Sequence, residues 1–283
     1  MTGVISGLIA VTGASGGLGG RVASRLAARG IPQRLIVRDL ARAPELPDAA
    51  AVQAGGYDDA TAMHAALDGV STLFFASATE HPQRVALHTA AIDAAVAAGV
   101  SRIIYTSFAG AAPDATFTFA RDHFHTERYI RGTGLDFVFL RDNLYLDFVP
   151  NLAGPDGVIR GPAGDGRFAP VSRDDIADVA AAVLTDPAHD GSTLELTGPA
   201  AVTMEETAAA LSHATGRPIT YHAERLDEAY ASRAKYDAAP FEIEGWVTTY
   251  LAIAKNELSN VTDSVALIAK HPPTSLLDYL TSR

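Results

Sequence analysis

One stretch near the start of the chain, Leu8-Ile-Ala-Val-Thr-Gly-Ala-Ser-Gly-Gly-Leu-Gly-Gly20, constrains its fold more than any other. Apolar residues run from Gly7 to Val11, glycines stand at 13, 16 and 19, and Val22, Leu26 and Ala27 then recur at helical spacing. This is the pattern of a strand, a tight turn and a helix N-terminus, which together receive the pyrophosphate of a dinucleotide. Backbone N–H groups at the helix start point at the anion, and the helix dipole favours negative charge there. In this reading Gly13 permits the turn, Gly16 lets the backbone approach the phosphates, and Gly19 lets the helix pack on the strand. Thr12, Ser15, Gly17 and Leu18 complete the cradle. The spacing differs from the G-x-G-x-x-G of common NAD dehydrogenases. In a chain with 24 glycines, the position of the motif, ending the first strand and opening the first helix, carries the assignment.

Further apolar runs at Arg34–Val37, Thr72–Ala76, Arg102–Thr106 and Asp136–Leu140, with a weaker one near Ala51–Gln53, predict strands. Helices are expected between them at Gly20–Arg29, Asp59–Leu67, Gln83–Ala98 and Phe119–Arg131. Such alternation predicts an α/β chain, a Rossmann-type doubly wound parallel sheet covered by helices. Beyond Leu140 the pattern changes. Residues 151–167 are rich in Gly and Pro and read as loop with a short strand. Ser172–Leu184, Thr203–Thr215, Leu226–Ala239 and Phe241–Asn256 read as helices, and Thr193–Leu196 and Ile219–His222 as strands. The expected organisation is a dinucleotide-binding domain over residues 1–150 and a smaller substrate-binding lobe over 151–283, with segments near 172–197 returning to the first sheet.

A formal charge of −11 argues against binding the nucleic-acid backbone, which requires a basic surface. No apolar stretch is long enough for a membrane span. Met1-Thr-Gly-Val-Ile-Ser lacks the basic and long apolar regions of a signal peptide, so a cytoplasmic protein is expected, as monomer or homodimer. With no cysteine there is no disulfide and no thiol nucleophile. His123 and His125 lie two residues apart and do not share a helical face, and no other cluster of ligands points to a metal.

Arg38 ends the second strand, where NAD-preferring sites place an acid on the ribose hydroxyls. A guanidinium there suits a 2′-phosphate, so NADPH is expected over NADH, although Asp39 is adjacent. Asp58 stands either to accept from the adenine amine or to cap the following helix. Phe74-Phe-Ala-Ser-Ala78 ends the fourth strand, and its small residues Ala76 and Ser77 leave room for a dinucleotide.

At this point a family resemblance is evident. Thr12-Gly-Ala-Ser-Gly-Gly-Leu-Gly19, Arg38, Ile103-Ile-Tyr-Thr-Ser107, His123-x-x-Thr-Glu127, Leu140-Arg-Asp-Asn-Leu-Tyr145, Ala163-Gly-Asp-Gly-Arg-Phe168, Ser172-Arg-Asp-Asp-Ile-Ala177 and His271-Pro-Pro-Thr-Ser275 carry it. In these segments, which span nearly the whole chain, it resembles the atypical short-chain dehydrogenase/reductases of the NmrA-like group, most of all the NADPH:quinone oxidoreductase and triphenylmethane reductase branch. The chain departs from the wider superfamily at the proton donor. The usual Tyr-x-x-x-Lys is absent, because none of the three lysines, Lys235, Lys255 and Lys270, follows a tyrosine by four residues. Where that motif belongs, the resemblance puts Phe119 for the tyrosine and His123 for the lysine.

Phenylalanine donates no proton. His123 stands to bind the nicotinamide ribose or supply a proton, or else to lie idle on the helix surface. Ser107 stands either to orient a carbonyl or to cap its strand. Asn143 is a candidate contact to nicotinamide or substrate. Tyr145 reads as a wall of the substrate site in preference to an acid, and Phe148, Phe168 and Trp246 as further apolar lining or as lobe core. Quinones and extended aromatic acceptors take hydride without a strong local acid, because the resulting anion is delocalised. A simple ketone leaves a localised alkoxide that needs a donor. The expected activity is therefore NADPH-dependent reduction of a small quinone or aromatic carbonyl, a ketone on a polyaromatic product included. The alternative is an NmrA-like regulator that senses NAD(P) without catalysis.

Overall fold

The computed structural model describes residues 7–282. The chain divides into two compact units. Of the described residues, one unit comprises 7–107, 122–141 and 173–194, and the other 108–121, 142–172 and 195–282. The division is interleaved along the sequence, with segment 173–194 belonging to the first unit.

The first unit is built on alternating elements: β1 (Leu8–Thr12), α1 (Gly19–Ala28), β2 (Gln33–Val37), β3 (Ala49–Gln53), α2 (Ala60–Ala66), β4 (Val70–Phe75), α3 (Arg84–Ala97), β5 (Arg102–Phe108), α4 (Thr118–Thr133) and β6 (Asp136–Asp142). β7 (Val158–Gly161) and β8 (Arg167–Phe168) follow, then α5 (Arg173–Thr185) and β9 (Thr193–Leu196). The central sheet runs β3-β2-β1-β4-β5-β6-β9. Neighbours from β3 through β5 pair in parallel. The order reverses between β1 and β4, so the carboxyl ends of these two strands form the switch point where ligands bind in open α/β sheets. Nearly continuous apolar runs explain the central strands: Val11, Phe74, Ile104 and Phe139 are fully buried. β3 alternates poorly and lies at the edge.

The second unit has its own core, in which Leu146, Ile159, Phe168, Leu211, Ile253 and Leu258 are buried. β7 pairs in parallel with β11 (Thr220–Ala223), and β8 pairs antiparallel with β10 (Val202–Thr203), which leads into α6 (Met204–Thr215). Then come α7 (Leu226–Arg233), α8 (Pro240–Ala254), α9 (Ser264–Ala269) and α10 (Leu276–Thr281). The helix expected over Leu226–Ala239 stops early. After Arg233 the chain tightens into a 3-10 turn, Asp237 adopts a left-handed conformation, and Pro240 opens the next helix. Among the described residues no helix is long and apolar enough to cross a membrane.

Candidate cofactor and active site

The glycine turn has the geometry of an anion cradle. Gly13 has φ +63°, and the Gly16 N–H closes the turn on Gly13 O at 2.8 Å. A Cβ at position 19 would stand 2.4 Å from Gly13 O and 2.7 Å from Thr12 O, so α1 packs on the strand end only because that residue is glycine. A Cβ at 16 would meet the same Gly13 O at 3.1 Å. Glycine at 16 therefore secures the tightness of the turn itself. α1 begins with no side-chain cap and no acid in its first turn, whereas α6 has a Thr203–Glu206 capping box. An uncapped helix start suits a bound anion, although the Gly20 N–H is already given to Gly16 O at 3.1 Å. Gly13, Gly16 and Gly17 are exposed, and Ser15 and Leu18 half-buried. Two cations flank the turn. Arg21 donates from Nη1 to Gly17 O, and the Arg173 guanidinium lies 3.6 Å from where a Gly17 Cβ would be. These features fit the pyrophosphate of a dinucleotide.

Thr12 plays a part the sequence did not reveal. Its hydroxyl is buried, donates to Phe74 O at 3.2 Å, and accepts from Ala76 N at 2.9 Å. The Tyr57 hydroxyl lies 2.8 Å from Thr12 Oγ1 and 2.5 Å from Ala76 O. Burial pushes the Tyr57 phenol up to about 12, so it remains a donor. Ser77 N donates to Thr106 Oγ1, and Ala78 N to His88 Nε2. The segment 76–78 is thus held by side chains from β1, β5 and α3, with Ala76 and Ser77 half-exposed at the switch point.

Arg38 is exposed at the end of β2. Asp39 caps a 3-10 turn by accepting from Ala41 N at 3.0 Å, which commits the neighbouring carboxylate to the backbone. The cap of α2 is Asp59, which accepts from Ala62 N. The capping reading of Asp58 is therefore corrected: Asp58 lies one residue too early to cap that helix.

His123 is buried, with Nδ1 2.8 Å from the Tyr105 hydroxyl. This corrects the idle surface position. Burial, aided by the positive field of Arg84, holds its pKa well below the usual histidine value, so it is neutral near pH 7. His88 behaves alike. Burial and then Arg84 push it down to about 3. Because His88 Nε2 accepts from Ala78 N, its proton sits on Nδ1, which donates to Thr126 Oγ1 at 2.9 Å. Phe119 packs in the second unit, its ring filling the space that a side chain at Gly245 would take.

The Ser107 hydroxyl donates to Glu127 Oε1 at 2.5 Å, and Arg141 grips the same carboxylate with Nε at 2.8 Å and Nη2 at 2.7 Å. Ser107 thus has lone pairs, but no spare proton, for a ligand. Asn143 is buried. Its Nδ2 donates to Leu258 O, and its Oδ1 accepts from Leu144 N, so its amide braces the second unit. Tyr145 donates its hydroxyl to Asp142 Oδ2 at 3.0 Å and stacks on Phe148, which is 51% exposed. Phe168, at 1% exposed, is a core residue and presents no wall to a ligand. Trp246 is 39% exposed and meets Tyr236 edge-on. Sequence reasoning missed Arg84, His88, Tyr105 and Arg173, because these buried or flanking roles have no local signature.

Residues 13–187 match the NAD(P)H-binding family, and the chain belongs to that family, in its NmrA-like group. It is an NAD(P)H-dependent oxidoreductase. Quinone oxidoreductase 2 of Escherichia coli (strain K12) is 33% identical over 97% of this chain and 98% of its own. The structure of that protein with NADPH superposes with a TM-score of 0.88 at 30% identity, covering 97% of this chain and 99% of the other. An NAD(P)H azoreductase of Xenophilus azovorans is 29% identical over 96% of each chain. The triphenylmethane reductase of Citrobacter sp. complexed with NADP(H) superposes at 0.87, with 29% identity over 97% of this chain and 99% of that one.

Proposed function

We propose that this protein reduces quinones or other extended aromatic acceptors by direct hydride transfer, without a side-chain acid. The observation that carries this reading lies on α4. Where the superfamily has its tyrosine and lysine stand Phe119, which has no proton to give, and His123, which is buried and neutral. The relatives named for quinone, azo and triphenylmethane substrates act on conjugated acceptors, which delocalise the charge that hydride brings.

NADPH supplies the hydride when bound. The turn Gly13–Gly19 and the uncapped start of α1 hold its pyrophosphate, and Arg38 takes the 2′-phosphate. Asp58 accepts from the adenine amine, and Ala76 and Ser77 give the dinucleotide room. Ser107, fixed by Glu127 and Arg141, orients a ligand donor through its lone pairs. Tyr145 and Phe148 offer a stacked aromatic face to a flat acceptor, and Trp246 a second. Positioning, more than acid catalysis, lowers the barrier.

NADPH consumption with a panel of quinones, azo and triphenylmethane dyes, polycyclic ketones and saturated ketones tests this reading. Turnover of the conjugated acceptors and not of the saturated ketones is expected. NADPH binding with no turnover on any acceptor would overturn it in favour of a dinucleotide sensor.

A further inference from the structure

Arg84, the first residue of α3, is 5% exposed. Its Nε donates to Ala78 O at 2.9 Å, which anchors the guanidinium at the carboxyl end of β4 beside the switch point. Other buried arginines sit on carboxylates: Arg102 on Asp190 at 2.6 Å and Arg233 on Glu224 at 2.8 Å. Among the described residues no carboxylate lies within ion-pairing distance of Arg84. The titratable groups that feel its charge are His88, Tyr105, Asp122 and His123. Both histidines are neutral, and the Asp122 carboxyl is raised by its own burial against the pull of Arg84. Burying a cation without a counter-ion is costly, and functional sites are where such a cost persists.

We propose that Arg84 binds the oxyanion that forms on the acceptor as it is reduced, an inference that rests on the reductase reading. The acceptor gains a hydride, the π pair of its C=O moves to oxygen, and that oxygen carries one negative charge toward the guanidinium. Water then delivers the proton, and NADPH is the two-electron reductant. A desolvated cation aimed at developing charge is worth far more than the same cation in water.

A coloured phenol tests this without turnover. 4-Nitrophenol is titrated by absorbance in the NADP⁺-saturated protein, and NADPH affinity is read separately from Trp246 fluorescence. Arg84→Gln should raise the apparent pKa of the bound phenol by about one unit or more and weaken phenolate binding about tenfold. It should change NADPH affinity by less than about threefold, and Arg84→Lys should keep most of the wild-type effect. A tenfold loss of NADPH affinity with the phenol unmoved would assign the cation to the dinucleotide and overturn the proposal. No change in either would reduce Arg84 to a brace for Ala78 and overturn it too. Where Arg84→Gln does not fold, the wild-type protein decides: binding the phenolate no more tightly than 4-nitroanisole overturns the proposal. Absence of turnover on every acceptor would fail the reductase reading alone, whereas an unmoved phenol would fail the Arg84 assignment alone.

Discussion

At the residue scale, the proposed choice of cofactor rests on Arg38. Its neighbour Asp39 is committed to capping a turn, which leaves the guanidinium as the charge at the end of β2. A charge-assisted contact to a phosphate contributes roughly 1.5–3 kcal/mol. Arg38→Ala should therefore weaken NADPH about tenfold or more and leave NADH nearly unchanged, as isothermal titration would show. Tyr145 poses the opposite case. Its proton already points at Asp142, so Tyr145→Phe keeps the stack on Phe148 and removes one local hydrogen bond. Steady-state kinetics should show a loss below about threefold, whereas a loss of about a hundredfold would make it the acid. Legibility at this scale was uneven. Phe119 and the missing lysine were plain in the sequence. That His123 is buried, that Ser107 has given its proton to Glu127 and that Phe168 is core were not, because each depends on neighbours 20 or more residues distant, or on packing alone.

At the scale of elements, the strand–turn–helix unit is the most constrained part of the molecule. At position 19 a methyl group would overlap the backbone oxygens of Thr12 and Gly13. Gly19→Ala should cost about 1–3 kcal/mol of stability and disrupt NADPH binding, measured by denaturant titration and cofactor affinity. A variant as stable as wild type would mean that the turn yields more readily than its geometry implies. The first-unit elements were readable because their hydrophobic periods are strong. Val22 and Leu26 mark α1, and continuous apolar runs mark β4 and β5. α9 and α10 escaped notice because they are short and uncapped by any sequence signal beyond Ser275 before α10. The helix predicted past Arg233 ends there because the chain tightens into a 3-10 turn over Ala234–Tyr236, turns left-handed at Asp237 and starts a new helix at Pro240.

The whole molecule carries its own pH signature. His88 and His123 are neutral and buried in the folded chain but titrate freely when it unfolds. Their folded pKa values lie below the ordinary value of 6.5, so the unfolded chain binds more protons as pH falls. Stability is fully present above about pH 6.5 and declines as pH falls toward the folded value of about 3 for His88, by at most roughly 1 kcal/mol per pH unit, with His123 acting in the same direction. Denaturant midpoints across that window should show the decline, and His88→Gln should flatten it. The interleaved division of the chain was only partly legible: a return of segments near 172–197 to the first sheet was expected, whereas no signal marked residues 108–121 as part of the second unit. The central claim is that hydride reaches a conjugated acceptor with no proton delivered by a side chain in the same step. Kinetic isotope effects on quinone reduction test it most directly. C4-deuterated NADPH should slow turnover while the solvent isotope effect stays near unity, whereas a large solvent effect would place a protein acid in the transition state and contradict the account.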